Sequence, residues 1–145
     1  MTTLVNTAVT AMVAALQSAP AVCAVVDRVR LRALAADIDV ALAVRPIASE
    51  VMQAGLSPAA PISWQTTIAV ECYARSNAST APDVAVDAVL QGAFARLMED
   101  PTLGGLVVSI KPRAVSYDFD ADGTQSTCAT LVLEVLQRTA GNTLT

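Results

Sequence analysis

The sequence predicts an α+β domain: an antiparallel or mixed β-sheet with two α-helices packed on one face and a long hairpin-like loop. Three observations predict it. The stretch Ile62–Arg75 alternates over fourteen residues, with Ile62, Trp64, Thr66, Ile68, Val70, Cys72 and Ala74 on one side and mostly polar residues on the other, the period of a long strand with one buried face. Two other stretches repeat apolar residues at helical spacing. Shorter alternating runs lie between and after them, so the order is helix, strands, long strand, helix, strands.

Each element follows from its residues. Thr2 or Thr3 caps a first helix to about Ser18, whose stripe is Leu4, Val5, Ala8, Val9, Met12, Val13 and Leu16, and Pro20 stops it. Residues 25–34 alternate, with Arg28, Arg30 and Arg32 on one side of the expected strand. Those arginines either solvate an exposed edge or meet acids of a neighbouring copy. Ile38, Val40, Leu42 and Val44 mark the next strand, which is expected to end at Pro46. Residues 47–61 then read as an irregular connection, longer than the ~2–5 residues of a hairpin loop. Its apolar members Ile47, Val51, Met52 and Leu56 suit a segment that orders against a partner, or one folded back over its own sheet.

After the long strand, Thr80-Ala81-Pro82-Asp83 reads as a helix start with a threonine cap and proline in the first turn. That helix runs to about Glu99 with Val86, Leu90, Ala93, Phe94 and Leu97 inward, and residues 100–105 break it. A strand begins at Leu106, is interrupted by Pro112 and resumes through Phe119; proline in mid-run places it at an edge or a bulge. Residues 127–138 form the last strand, apolar on both sides and therefore expected to be covered on both.

Composition narrows the function. The 145 residues suit a single domain spanning 1–145, and 54% are hydrophobic but only 3% aromatic, so Ala, Val and Leu fill the core. With a net charge of −4, one lysine and scattered arginines, there is no basic stripe to contact phosphates. The absence of histidine removes the commonest general base and zinc ligand. Cys23, Cys72 and Cys128 have no C-x-x-C spacing and read as buried free thiols. The apolar N-terminal region lacks a basic flank, and no run reaches the ~18 apolar residues of a membrane span, so a cytosolic, soluble chain is expected.

Asp118-Phe119-Asp120-Ala121-Asp122-Gly123 matches the first positions of a calcium-binding EF-hand loop. The twelfth position, which needs a bidentate glutamate, is Ala129, so a solvated Asp-Gly turn is expected instead. No phosphate-binding glycine loop or nucleophile motif is present in the sequence. The expectation is a protein that is not an enzyme and carries neither a metal nor a cofactor.

Several local features together resemble the tailed-phage tail terminators, the lambda minor tail protein U-like family. They are the short N-terminal helix, Asp39-Val40-Ala41-Leu42-Ala43-Val44, the long loop before Trp64-Gln65-Thr66-Thr67-Ile68-Ala69-Val70-Glu71-Cys72-Tyr73, and the polar turn into Asp83-Val84-Ala85-Val86-Asp87-Ala88. Met98-Glu99-Asp100-Pro101-Thr102-Leu103, the acidic turn Tyr117-Asp118-Phe119-Asp120 and the final Thr/Leu/Val strand follow. The likeness covers nearly the whole chain, which is longer than lambda's protein between the first helix and the second strand.

The resemblance implies a structural virion protein of the head-proximal end of the tail, assembled in the host cytoplasm. It implies a homohexameric ring that caps the tail tube, stops tube polymerisation and offers a surface to the head–tail connector or neck. DNA would only pass through the lumen, which an acidic balance suits. On this reading Val51, Met52 and Leu56 are expected to contact the tail tube, and Arg28, Arg30 and Arg32 to meet acids of a neighbouring subunit. The alternatives are another head–tail connector or neck protein, or a non-enzymatic ligand- or metal-binding α+β module.

Overall fold

A computed structural model describes residues 1–29, 34–119, 126–141 and 143–145. The α+β architecture is as expected. The elements are α1 (Leu4–Gln17), β1 (Val26–Arg28), β2 (Val40–Ala54), β3 (Ile62–Arg75), α2 (Pro82–Glu99), β4 (Ser109–Phe119) and β5 (Ser126–Thr139). The sheet order is β1-β2-β3-β5-β4. β1 runs parallel to β2, and every other pairing is antiparallel, so the sheet is mixed and β3 lies at its centre.

The helices share one face. On it Leu42 and Val44 of β2, Ile68 and Val70 of β3, and Leu131, Leu133 and Val135 of β5 close on Val9, Met12 and Leu16 of α1 and on Val86, Ala93 and Leu97 of α2. Small side chains allow this close approach. Thr3 caps α1, accepting the Asn6 N–H at 3.3 Å. At the other end Arg96 of α2 donates to the carbonyl oxygens of Ala15 and Ser18 at 3.0 and 2.8 Å and to that of Pro20 at 2.6 Å. One guanidinium thus serves the free Ala15 carbonyl in the last turn of α1 and two carbonyls just beyond it, and fastens the two helices together.

Several expectations need correction. β2 does not end at Pro46 but continues to Ala54, so the irregular connection shrinks to residues 55–61. Fourteen residues of β3 offer a long template, and bulges at Pro46/Ala48 and Val51/Gln53 absorb the proline and the broken alternation. The strand at 25–34 is confined, in its described part, to Val26–Arg28, because Val29 turns into the left-handed region at φ 56°. α2 has Ala81 rather than Thr80 at its N-cap and no side-chain cap bond; the Thr80 N–H closes a turn on the Asn77 carbonyl oxygen at 3.3 Å instead. Its buried stripe is Val86, Val89, Ala93 and Leu97, and Phe94 is left on the surface.

β4 begins at Ser109 rather than Leu106, since residues 100–108 form turns. Gly104 and Gly105 there adopt φ of +69° and +86°, which a side chain would strain. Pro112 sits beside a bulge at the sheet edge, as its position implied. β5 is flanked by β3 and β4 and covered by α2 on one face, whereas Thr130, Val132, Glu134 and Leu136 on the other face stay half-buried. On that second face Ser126 and Cys128 are buried, so within the chain the cover is complete only at the start of β5 and partial beyond it.

Buried groups make the fold sensitive to alkali. Burial pushes the Cys72 thiol from its usual 9.0 up to about 12, and burial together with the hydrogen bond to Glu71 raises the Tyr73 hydroxyl. Both groups lose their protons more readily in the unfolded chain. Their contribution is whole below the unfolded values of about 9 and 10 and is lost as pH rises towards the folded ones. Denaturant midpoints are expected to fall steadily between about pH 9 and 12, and Cys72→Ala is expected to flatten that fall. An unchanged slope in the variant would remove Cys72 from the account.

Candidate functional site

β2 and β3 extend beyond the helices as an arm. From Pro46 to Ala54 every residue of β2 is exposed, although the strand stays paired to β3 as far as Ala54 opposite Ile62. Val51 is 52% and Met52 59% exposed, and Leu56 in the connecting loop is wholly so. The three residues expected to meet a tail tube thus lie at one tip. Ile47, nearer the base, is half exposed as well.

A polar ladder holds the base of the arm in place of an apolar core. Ser49 and Thr66 share a hydrogen bond of 2.9 Å, the Thr66 hydroxyl donates to Gln137 Oε1 at 3.0 Å, and Gln137 Nε2 donates to the Leu4 carbonyl oxygen at 3.1 Å. Trp64 Nε1 donates to Thr139 Oγ1 at 2.8 Å alongside. Thr66 and Gln137 are fully buried, so the bond between them is sheltered from water, and a chain of bonds leads from β2 through β3 and β5 to the start of α1. Loss of the Gln137 amide leaves Thr66 and the Leu4 carbonyl without it, at about 1–3 kcal/mol for a buried group. Gln137→Leu is therefore expected to lower stability by about that much and to speed amide exchange in residues 62–66, as hydrogen-exchange mass spectrometry would record.

The sheet face opposite the helices carries a second polar cluster. Arg45 Nε pairs with Glu71 Oε1, and the Tyr73 hydroxyl donates to Glu71 Oε2 at 2.7 Å. Glu71 is only 8% exposed, and the arginine and the phenol together satisfy both its oxygens. Neighbouring Ala41, Ala43 and Ala69 are buried. Farther along β3, Arg75 Nη2 donates to the carbonyl oxygens of Leu34 and Ala35 at 3.2 and 3.0 Å. The Arg45–Glu71 pairing fastens β2 to β3 on this face.

A shallow groove separates α2 from β4. Leu90 and Phe94 form one bank and Pro112 and Val115 the other, with a volume of about 500 Å³ open to solvent. Val84, Tyr117 and Phe119 continue the apolar surface past Asp83 and Asp87. Tyr117 and Phe119 stack with ring centroids 6.4 Å apart. Sequence reading missed this surface because it assigned Phe94 to the core; the spacing of Val86, Val89, Ala93 and Leu97 was the signal for the alternative stripe.

The remaining expected residues fall as follows. Arg28 is engaged within the chain, where its Nη1 donates to Thr10 Oγ1 at 2.8 Å and its Nη2 to Asn6 Oδ1, tying β1 to α1. Arg30 and Arg32 lie outside the described residues, as does most of the calcium-loop-like segment at 120–123. Among the described residues no group of three or more acidic or cysteine side chains is placed to hold a metal. Cys72 and Cys128 are buried and unpaired and Cys23 is half-buried. No described helix is long and apolar enough to cross a membrane.

No protein-family model matches the sequence, and no curated protein is significantly similar to it.

Proposed function

We propose that this chain is the tail terminator of a tailed phage: a structural protein that closes into a ring on the finished end of the tail tube, stops tube growth and receives the head or neck. The observation that carries the reading is the exposed apolar arm. A three-tiered display of Val51, Met52 and Leu56 at the tip of a hairpin is costly in water and suits burial against another protein. The α+β architecture fits the family that the sequence resembles. The half-buried second face of β5 and the groove beside β4 leave further surface for assembly. Val51, Met52 and Leu56 meet the tube in this reading, and the ring is a hexamer.

Mass measured by light scattering, with the protein alone and mixed with purified tail tubes, tests the proposal together with negative-stain images of tube ends. Rings seated on one end of the tubes are expected. Rings that ignore tubes would move the protein to the neck, and a protomer that neither assembles nor binds tubes would leave only the fold in common with the family. Met52→Gln with Leu56→Gln is expected to leave thermal unfolding unchanged, since both side chains are exposed, and to weaken tube capping at least tenfold. Unimpaired capping by that variant would take the arm tip out of the interface.

A further inference from the structure

Two strands of the sheet, β2 and β4, have outer edges with no described neighbour over most of their length. β1 covers β2 only at Leu42, Ala43 and Val44, so among the described residues the outer edge of β2 is open from Arg45 onwards. β4, the last strand on the other side, is exposed from Lys111 to Phe119. Long open edges template the addition of further strands. Because β2, β3, β5 and β4 are each antiparallel to the next, β2 and β4 run in opposite directions. Copies related by a simple rotation can therefore join β4 to β2 with the antiparallel alternation intact.

The charges on the two edges match. On β2, Arg45 stands opposite Ala69 and Glu50 opposite Gln65. On β4, Ala114, next to the bulged Arg113, stands opposite Val132, and Asp118 opposite Cys128. In both strands the arginine end and the acid end are four rungs apart, about 13 Å along a strand. Antiparallel pairing brings each arginine to the other strand's acid. The faces agree as well once the bulge residues Ile47 and Arg113 step out of the ladder. Ser49 then shares the helix-bearing face with Val115, and Ala48 shares the open face with Ser116.

We infer that copies of this chain join edge to edge, β2 of one protomer pairing with β4 of the next over residues 45–50 and 113–118, with Glu50 against Arg113 and Arg45 against Asp118. The inference rests on the ring proposed above and names its seam. The contact is heterologous, so a rotation between protomers that closes makes a ring with no edge left open, as the proposed function requires. Pairing β4 with β4 would also match charges, but it would leave every β2 edge exposed. Pro46 removes one donor from the seam at most, and Pro112 falls outside it. Arg45 gives its Nε to Glu71 and is still 43% exposed, which leaves it within reach of a second carboxylate. The tip beyond Glu50 stays clear of the seam and free for the tube.

Charge reversal tests the seam. Arg113→Glu is expected to reduce the ring to protomers in light scattering at physiological salt, with an unchanged far-ultraviolet spectrum because the residue is exposed. Adding Glu50→Arg is expected to restore the ring, and E50C protomers mixed with R113C protomers are expected to form disulfide-linked pairs that neither forms alone. A ring that survives R113E overturns the seam and leaves the terminator reading standing. Rescue by Asp118→Arg in place of Glu50→Arg would mean that β4 pairs with β4, and overturns it too. A wild-type chain that stays monomeric at every concentration and on tubes overturns both.

Discussion

Leu133→Ala is expected to lower the unfolding free energy by about 2–5 kcal/mol, the cost of emptying a fully buried leucine site. Leu133 lies in β5 opposite Ile68 of β3, the two strands beneath α2, and neither side chain is exposed. A domain of this size holds on the order of 5–15 kcal/mol in all, so the variant should be marginal at 37 °C. Its neighbour Val132 points to the other face and is half-buried. Val132→Ala is accordingly expected to cost about 1 kcal/mol or less, at about 25 cal/mol for each square ångström of apolar area lost. Urea denaturation of the pair reads the difference directly. Equal losses would mean that the second face of β5 is covered as fully as the first.

Glu71→Ala is expected to have the second largest effect. Its carboxylate accepts from both Arg45 and Tyr73 while nearly excluded from water. Removing it takes from the half-buried phenol the carboxylate acceptor that, together with burial, raises its pKa. Hydrogen bonds to a charged group contribute about 1.5–3 kcal/mol each, and the partly exposed arginine recovers some of its share from solvent. A net loss of about 2–3 kcal/mol follows. Glu71→Gln keeps an acceptor for Tyr73 and should lose roughly half as much. A double-mutant cycle with Arg45→Met separates the two bonds, and a coupling energy near zero would show that the arginine does not matter to the fold.

The legibility of this fold in its sequence varied with the regularity of each pattern. The alternation of Ile62–Arg75 carries no interruption, and its limits agree with β3 at both ends. Thr3 and Ser18 likewise bracket α1, as its two caps. Pro112 announced the edge and the bulge of β4. The arm was obscured because its two bulges shift the period of β2, so that Ile47, Val51 and Met52 lose their alternation with Glu50 and Gln53. Pro46 then looked like a stop, although an edge strand tolerates proline. The parallel pairing of β1 with β2 depends on the path of the chain between them, which no local pattern encodes.

The candidate site was legible only in part. Exposure of Val51, Met52 and Leu56 followed from their placing outside any helix or strand stripe. Their concentration at one tip depends on the pairing of β2 with β3. Sequence shows the charge of Arg28 but not its neighbours, so its bonds to Thr10 and Asn6 on α1 were not legible there. The match between Arg45 and Glu50 on one edge and Arg113 and Asp118 on the other needs the strand order, since nothing in the sequence says which strands lie outermost.

Tail-tube length measures the central claim most directly. Purified tube protein polymerising from a defined start, with this chain added at increasing concentration, would be imaged by negative stain and its length distribution recorded. The terminator reading predicts tubes that shorten as the chain is added and then stop growing, each bearing a ring at one end. A length distribution unchanged at saturating chain, with bare tube ends, would contradict it.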